Sequence, residues 1–494
     1  VDLVTYFFRR VFNLLRPNGL QSLISTNTIA QGSAREGGLD VICGNGGVIN
    51  HAVRSMRWPG VAAVEVSLVA IHKGEWSKDV ILDNKNVERI TPYLDDSLVM
   101  GKPFPLKQNA KKSFQGSIVL GKGFILSPEE AAALIAKDPR NKDVLFPYLN
   151  GDDLNNDPEQ KPSRWVINFF DWPEEKARTY PDCFKIIEER VKPERQRWKL
   201  DANGNEIVGT YALRNVRAQK WWQHAERASA LYETISQLDQ VMVVARISKT
   251  LAMCFVERSM IFADALVVFG NSEFSIFCVM QSTIHNIWAW KYCTTMKSDL
   301  NYTPGNVFET FPFPQKSKGT SDLENLGNQY HNFRKEFLRD TQIGLTKAYN
   351  LLHNKHLRPI SHVGNPNLDS SSKRSLDKDN IWLEKHVQQL KAIKYNDVIG
   401  RVIEFRSLQI KIDSAVLHAY GWGDIQLKHD FYELEYLSEN DKIRFTIHPN
   451  ARKEILKRLL GLNHKYHSDE NDVSELLQSQ IRIQRHEITS FTLF

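Results

Sequence analysis

Near the start of the chain, Val4, Phe7, Phe8, Val11, Leu14 and Leu15 recur three and four positions apart, the spacing that lines one face of an α-helix. Pro17-Asn18-Gly19 stops that helix. Leu20 to Ser25 is short, apolar and follows a turn, so it reads as a buried strand. Small and polar residues fill Thr26 to Arg35, and a helical stretch continues to about Ile42. Strand patterns then cover Val48 to Trp58 and Val61 to Ile71. Helix, strand, helix and a closing strand pair suit the last half of an α/β sheet. Residues 1–75 are therefore read as part of such a sheet, with its earlier strands expected upstream of Val1.

Residues 76–112 are polar and mixed, and read as a connector. A second, α+β domain is expected over 113–315. It opens with a Gly-punctuated strand (GSIVLGKGFIL) and a helix started by Ser127-Pro128-Glu129-Glu130, a cap residue followed by Pro and early acids. Leu145 to Asp153 follows, then a strand over Arg164 to Phe170 and a charged helical stretch from Glu174 to Lys199. Short β-rich runs occupy Val241 to Gly270, and Ser272 is read as the cap of a helix reaching Trp288. A polar loop, Lys297 to Asn306, leads to Pro312 and Pro314, which end the domain. Residues 316–359 read as helical, 360–380 as a Ser/Asn/Asp/Pro-rich linker, and 381–494 as a mostly helical last domain.

Composition narrows the class. At roughly 100–200 residues per domain, 494 residues make about two to four domains. With 42% hydrophobic and 25% charged residues there is apolar material for several cores. No apolar run approaches the ~20 residues of a membrane-spanning helix. Arg9 and Arg10 interrupt the apolar start and no small-residue cleavage site follows, which argues against a secretion signal. The cysteines Cys43, Cys183, Cys254, Cys278 and Cys293 form no CxxC pair, which argues against zinc and for a reduced, cytoplasmic setting. The formal net charge of +6 suits a polyanion partner, but suits a merely basic surface equally.

Motifs with a chemical mechanism are few. Gly44 to Gly47 (GNGG) follows a helical stretch rather than a strand and lacks the GxGxxG spacing, so it reads as a turn. Asp152, Asp153 and Asp157 lie in a Gly/Asn-rich turn and read as surface residues rather than metal ligands. A mixture of basic and aromatic residues is more suggestive: Arg195, Arg197, Trp198, Arg214, Arg217, Lys220, Trp221, Trp222 and Arg227. Cations neutralise phosphates and rings pack on sugars or bases. A solvated helix face with Trp221 and Trp222 half in a core explains the same pattern. On the first reading, Arg195, Arg197, Arg214, Arg217 and Lys220 are the candidates for DNA-backbone contact.

The motifs also occur in a telling order. Ser25-Thr26-Asn27 follows the first strand, Arg57-Trp58-Pro59 the second, and the third ends in IHKG. FILSPEEA, LFPYLNGDDLN, the run from Val241 to Trp290 and NYTPGNVFETFPFP come next, then LHAYGW and RKEILKRLLGLNHKYH. Over nearly the whole chain this resembles the MmeI-like group of type II restriction–modification enzymes. In that group one chain carries an adenine-amino DNA methyltransferase and its own target-recognition domain. LFPYLNGDDLN and TPGNVFETFPFP are the most specific elements of the match.

The resemblance implies a Rossmann-like methyltransferase that binds S-adenosylmethionine at a glycine-bearing loop and flips its target adenine against an NPPY-type motif. Neither motif occurs in this chain, so the resemblance places both, and any nuclease domain, upstream of Val1. S-adenosylmethionine is then a cofactor of the complete enzyme and is not expected on this chain, and no catalytic, cofactor-binding or metal residue is assigned. The expected partners are double-stranded DNA and the upstream methyltransferase or nuclease half, with no membrane. The alternative is a stand-alone DNA-specificity module without catalysis.

In the MmeI-like pattern the loop before the exit motif faces the major groove. Here Lys297, Asp299 and Asn301 alternate, so an extended backbone would point them one way. Lys donates to the O6 and N7 acceptors of guanine, Asp accepts from the N4 amino group of cytosine, and Asn suits adenine. A solvated Lys–Asp pair in a surface loop is the reading without the resemblance.

Overall fold

The N-terminal apolar stripe forms the helix Leu3–Leu14, capped by Asp2, whose side chain accepts from the Val4 N–H at 3.4 Å. Phe8 and Phe12, one turn apart, are buried; Phe7 and Leu14, part of the stripe by spacing, face outward. The structure, a computed structural model, describes residues 2–62, 64–96, 101–296, 299–315, 320–357, 378–437 and 441–491. The expected 360–380 linker therefore lies almost entirely outside the described residues.

Five strands build the first sheet: β1 (Leu20–Thr26), β2 (Gly47–Arg57), β3 (Glu65–Lys73), β4 (Val80–Leu82) and β5 (Lys85–Val87). Their order is β1-β3-β2-β4-β5. β3 is antiparallel to both β1 and β2, which therefore run parallel to each other. Ile49, Ala52, Val69 and Ile71 meet Phe8 and Phe12 in its core. β4 pairs parallel to β2 and turns into β5 through Asp83 and Asn84, both with positive φ (48° and 63°). Two left-handed residues make the type I′ turn that matches strand twist. The connector expected from residue 76 thus starts later, because this hairpin extends the first sheet. The expected helix up to Ile42 is two short helices, Gly32–Gly37 and Leu39–Gly44.

Three sheets follow. β12 (Gln240–Ala245) lies between β14 (Cys254–Glu257) and β16 (Leu266–Phe269), and β6 (Ser113–Gln115) completes the order β14-β12-β16-β6. The second has the order β15-β8-β9-β7, from β15 (Ile261–Phe262), β8 (Leu145–Leu149), β9 (Arg164–Ile167) and β7 (Ile125–Leu126). The third, β13-β18-β17, joins β13 (Ile247–Ser248) to a hairpin of β17 (Thr294–Met296) and β18 (Asp299–Asn301). A separate two-stranded ribbon pairs β10 (Trp198–Leu200) with β11 (Glu206–Tyr211).

Ser127 forms the expected cap as a full capping box with Glu130. The strand expected through GSIVLGKGFIL is broken, because Leu120 and Gly121 take φ of 49° and 134°. The helical stretch expected to Lys199 ends at Arg195 and gives way to β10. The helix expected from Ser272 to Trp288 is two, Phe274–Gln281 and Thr283–Tyr292, and Ser282 caps the second.

Pro312 and Pro314 end the strand-rich part of the chain but not its core. Val243, Phe277 and Trp288 share one continuous apolar cluster with Phe337, Phe405 and Leu459 of the helical part. Polar groups cross the same boundary. Asp413, in the helix Tyr395–Ala419, is fully buried. Its carboxylate accepts from the Thr283 N–H (2.7 Å), the Thr283 hydroxyl (2.7 Å) and Gln409 Nε2 (3.0 Å), and lies 2.8 Å from His429 Nε2. Buried Arg334 donates to Gln281 Oε1 (3.2 Å), Tyr349 Oη (2.8 Å) and the Met253 carbonyl.

Asp413→Ala would leave several buried donors without an acceptor. The expected loss is about 3 kcal/mol, read as a lowered Tm, with Asp413→Asn milder because one acceptor remains. Melting should stay a single transition across the strand-rich and helical parts, which calorimetry checks directly.

Burial also holds two histidines neutral: His224 is pushed down to about 4 and His285 to about 3. Unfolded, each takes up a proton near 6.5. Between those limits the unfolded state binds more protons than the folded one, so stability rises with pH and is lost on acidification. Thermal melts from pH 7 down to pH 4 should show that fall, at up to about 1.4 kcal/mol per pH unit for each histidine. A flat profile would mean that the two rings are not buried neutral.

Candidate nucleic-acid interface

The hairpin β17–β18 carries the residues singled out for base reading. Met296 pairs with Asp299 and Thr294 with Asn301. Lys297 lies outside the described residues. Asp299 is half-exposed, and its carboxylate has no hydrogen bond or ion pair among the described residues. Asn301, two residues along the same strand, shares its face, as the alternation predicts. It sits at the hairpin's base, between Thr294 of β17 and Ile247 of β13. Its Nδ2 donates to Thr294 Oγ1 at 3.2 Å, whereas its buried Oδ1 has no partner. Leu300 and Tyr302 point the other way, into the core, and Tyr302 Oη lies 3.2 Å from His285 Nε2.

A residue that the sequence did not single out fixes this hairpin to the first sheet's module. Gln31 Oε1 accepts from the Thr295 N–H at 2.8 Å, and Gln31 Nε2 donates to Thr295 Oγ1 at 3.0 Å. Gly32 follows with φ of 46°, and a Cβ there would lie 3.2 Å from Thr294 Cγ2. The available signal was the small-residue run Ala30-Gln31-Gly32, in which a glycine permits both the left-handed backbone and the close approach. Nearby, buried Lys291 pairs with Asp95 and lies 4.1 Å over the Tyr93 ring.

The basic cluster divides into two groups. Arg195 is 1% exposed, and its guanidinium donates to the carbonyls of Val119, Leu120, Trp221 and Gln223. This corrects its reading as a phosphate contact: it is a core residue. Trp221 is buried, and Trp222 Nε1 donates to the Trp172 carbonyl at 2.9 Å, so these rings pack the interior and offer no face to a base. Arg217 is half-buried and pairs with Glu226 at 2.9 Å. Arg197, Arg214 and Lys220 are exposed, with no side-chain partner among the described residues. Arg217, Lys220 and Arg227 line an open basin of about 320 Å³ whose floor includes Arg195 and His224.

Gly44 to Gly47 does not fit a cofactor loop. The helix Leu39–Gly44 feeds β2, so the turn runs from helix to strand and presents no helix N-terminus to a phosphate or a nucleoside. A Cβ at Gly47 would lie 2.6 Å from Ile42 Cγ2, which gives that glycine a packing role. The acidic turn is spent locally. Asp153 accepts from Ser163 Oγ at 2.7 Å and Asn150 Nδ2 at 2.8 Å, and Asp157 from the N–H groups of Glu159 and Lys161. Among the described residues no helix is long and apolar enough to cross a membrane.

Comparison with known proteins bears on this geometry. Residues 95–315 match the family described as MmeI, target recognition domain. The fold of the chain is similar to that of the Type IIL restriction–modification enzyme MmeI solved in complex with DNA. The TM-score is 0.63 at 18% identity, over 95% of this chain and 53% of MmeI. DNA methyltransferase A of Bacillus subtilis (strain 168) is 22% identical over 315 residues, 61% of this chain and 33% of that protein. The chain thus spans about half the length of the one and a third of the other. Residues 95–315 thus match the MmeI target recognition domain, in a chain whose fold is similar to MmeI's over nearly all its length.

Proposed function

We propose that this chain recognises a specific sequence in double-stranded DNA, as the recognition part of a site-specific adenine methyltransferase of a restriction–modification system. The observation that carries the reading is the β17–β18 hairpin within the matched domain, whose Asp299 carboxylate has no partner among the described residues. An acceptor in that setting suits the N4 amino group of cytosine, and Lys297, two positions earlier in the sequence, suits guanine O6 and N7, so the two together would read one G·C pair. Asn301, its Nδ2 already held by Thr294, would act mainly by fixing the strand. Arg197, Arg214, Arg217 and Lys220 would supply phosphate contacts, with Arg217 contributing least while paired to Glu226.

The mixed sheet β1-β3-β2-β4-β5 supports the reading of the N-terminal residues as part of a methyltransferase α/β domain. In the complete enzyme S-adenosylmethionine would supply the methyl group. The residues of this chain offer it no fitted loop, and their part would be to select and position the DNA. Such an enzyme would work in the cytoplasm, where its DNA lies.

Two measurements test the assignment. Exchanging the charges, Lys297→Glu with Asp299→Arg, should turn the preference at one position from G toward C in a competition assay over all four bases. Each contact is worth roughly 1–3 kcal/mol of discrimination. An unchanged preference with binding intact would remove both residues from the code. Gln31→Ala removes the brace on Thr295 and should lower discrimination at that same position several-fold while leaving affinity for random duplex unchanged. Equal loss on specific and random DNA would mean that Gln31 supports the fold and not the hairpin.

A further inference from the structure

Among the described residues no third strand pairs with the β10–β11 ribbon. At its root Trp198 stacks on Tyr211, with ring centroids 4.9 Å apart and planes at 12°. Beyond that pair every strand residue is exposed, including Leu200 at 55% and Val208 at 78%. The turn is built: Asp201 accepts from the Asn203 and Asn205 N–H groups at 2.8 and 2.9 Å. A preformed ribbon that carries exposed aliphatic side chains on its strands calls for an occupant.

Charge says which. Between residues 197 and 220 stand five cations, Arg197, Lys199, Arg214, Arg217 and Lys220, against two carboxylates, Asp201 and Glu206. Asp201 is already satisfied by the turn. Arg197, Lys199, Arg214 and Lys220 are exposed and have no side-chain partner among the described residues, so the root is free to hold an anion. Aliphatic side chains on the strands and cations at the root match a duplex groove, where phosphates flank the bases. The major groove, about 12 Å wide, admits a two-stranded ribbon, and its apolar feature is the thymine methyl group.

We propose that the β10–β11 ribbon enters the major groove of the bound duplex, with Leu200 and Val208 against thymine methyl groups and the root cations on the flanking phosphates. This is a second reading element, separate from the β17–β18 hairpin, and it rests on the proposed DNA recognition.

The test uses the full chain and a duplex that the wild-type protein selects from a random pool at low salt. Leu200→Ser with Val208→Ser should bind that duplex at least ten-fold more weakly. The slope of affinity against salt should be unchanged, because no phosphate contact is removed, and so should the Tm, because both side chains are exposed. Replacing thymine by uracil in the duplex should weaken the wild type several-fold and leave the variant indifferent. Variant affinity within two-fold of wild type would overturn the proposal, as would equal wild-type affinity for the uracil duplex. A wild-type dimer that the double substitution dissociates would overturn it in favour of a second copy as the occupant. If the wild type selects no duplex at all, the DNA-recognition reading itself fails, whereas failure of the variant arm alone removes only the ribbon.

Discussion

The two helices Phe274–Gln281 and Thr283–Tyr292 are buried on nearly every side, and the break between them leaves backbone and side-chain polar groups inside an apolar core. Such groups are costly unless each finds a partner. Asp413 and Arg334, which both come from the helical part of the chain, supply them. Asp413 takes the Thr283 N–H that the second helix cannot satisfy internally, and Arg334 meets the Gln281 carboxamide that also accepts from the Met253 N–H at 3.0 Å. The strand-rich domain therefore lacks a satisfied interior without the helices that follow it. For the same reason two prolines can end a run of strands without ending a folding unit.

That junction sets the direction of everything after it. The helix Thr283–Tyr292 runs directly into β17, so the rigid body that fixes Thr283 also aims the hairpin carrying Asp299. Trp288 locks the helix from the other side, its Nε1 donating to Thr310 Oγ1 at 3.1 Å. Asn463 closes the circuit through the last helix, donating to the Thr310 carbonyl at 2.7 Å and pairing both ways with the backbone of Phe104. A base-reading element must hold its side chains to a fraction of an ångström, and loops alone do not provide this. Here a buried helix and the Gln31 brace hold the hairpin from two directions.

Sequence pattern revealed the elements whose signals are local. The Ser127 cap with Glu130 three residues on is a reciprocal hydrogen-bond pair that any reader of caps can see. The run Leu145 to Leu149 forms a strand, whereas Asn150, which caps the helix after it, was not singled out. What escaped was direction. A stretch dense in Arg and Trp does not say which side chains turn inward, and Arg195 turns inward because the carbonyls of Val119, Leu120, Trp221 and Gln223 converge on one point from two separate segments. The Asp83-Asn84 turn was legible in principle but was passed over, because its flanking strands are three residues each and carry almost no periodicity. For Gln31 only the glycine beside it hinted at a close approach, and nothing local named its partner, which is 264 positions away.

Burial of Arg195 does not remove its charge from the surface above it. Burial lowers its pKa to about 10, so the guanidinium remains charged at neutral pH. It has carbonyl dipoles around it rather than a carboxylate, which leaves a net positive charge beneath the basin lined by Arg217, Lys220 and Arg227. Charges near a low-dielectric wall are screened less than those in open water. Glu226 offsets Arg217 at the rim, and Glu194 offsets Arg195 through space, though no carboxylate among the described residues forms an ion pair with it. On the proposed DNA-binding reading, buried Arg195 still contributes to the positive field over the basin, while its hydrogen bonds to the Trp221 and Gln223 carbonyls hold the segment that carries Lys220 and Arg227.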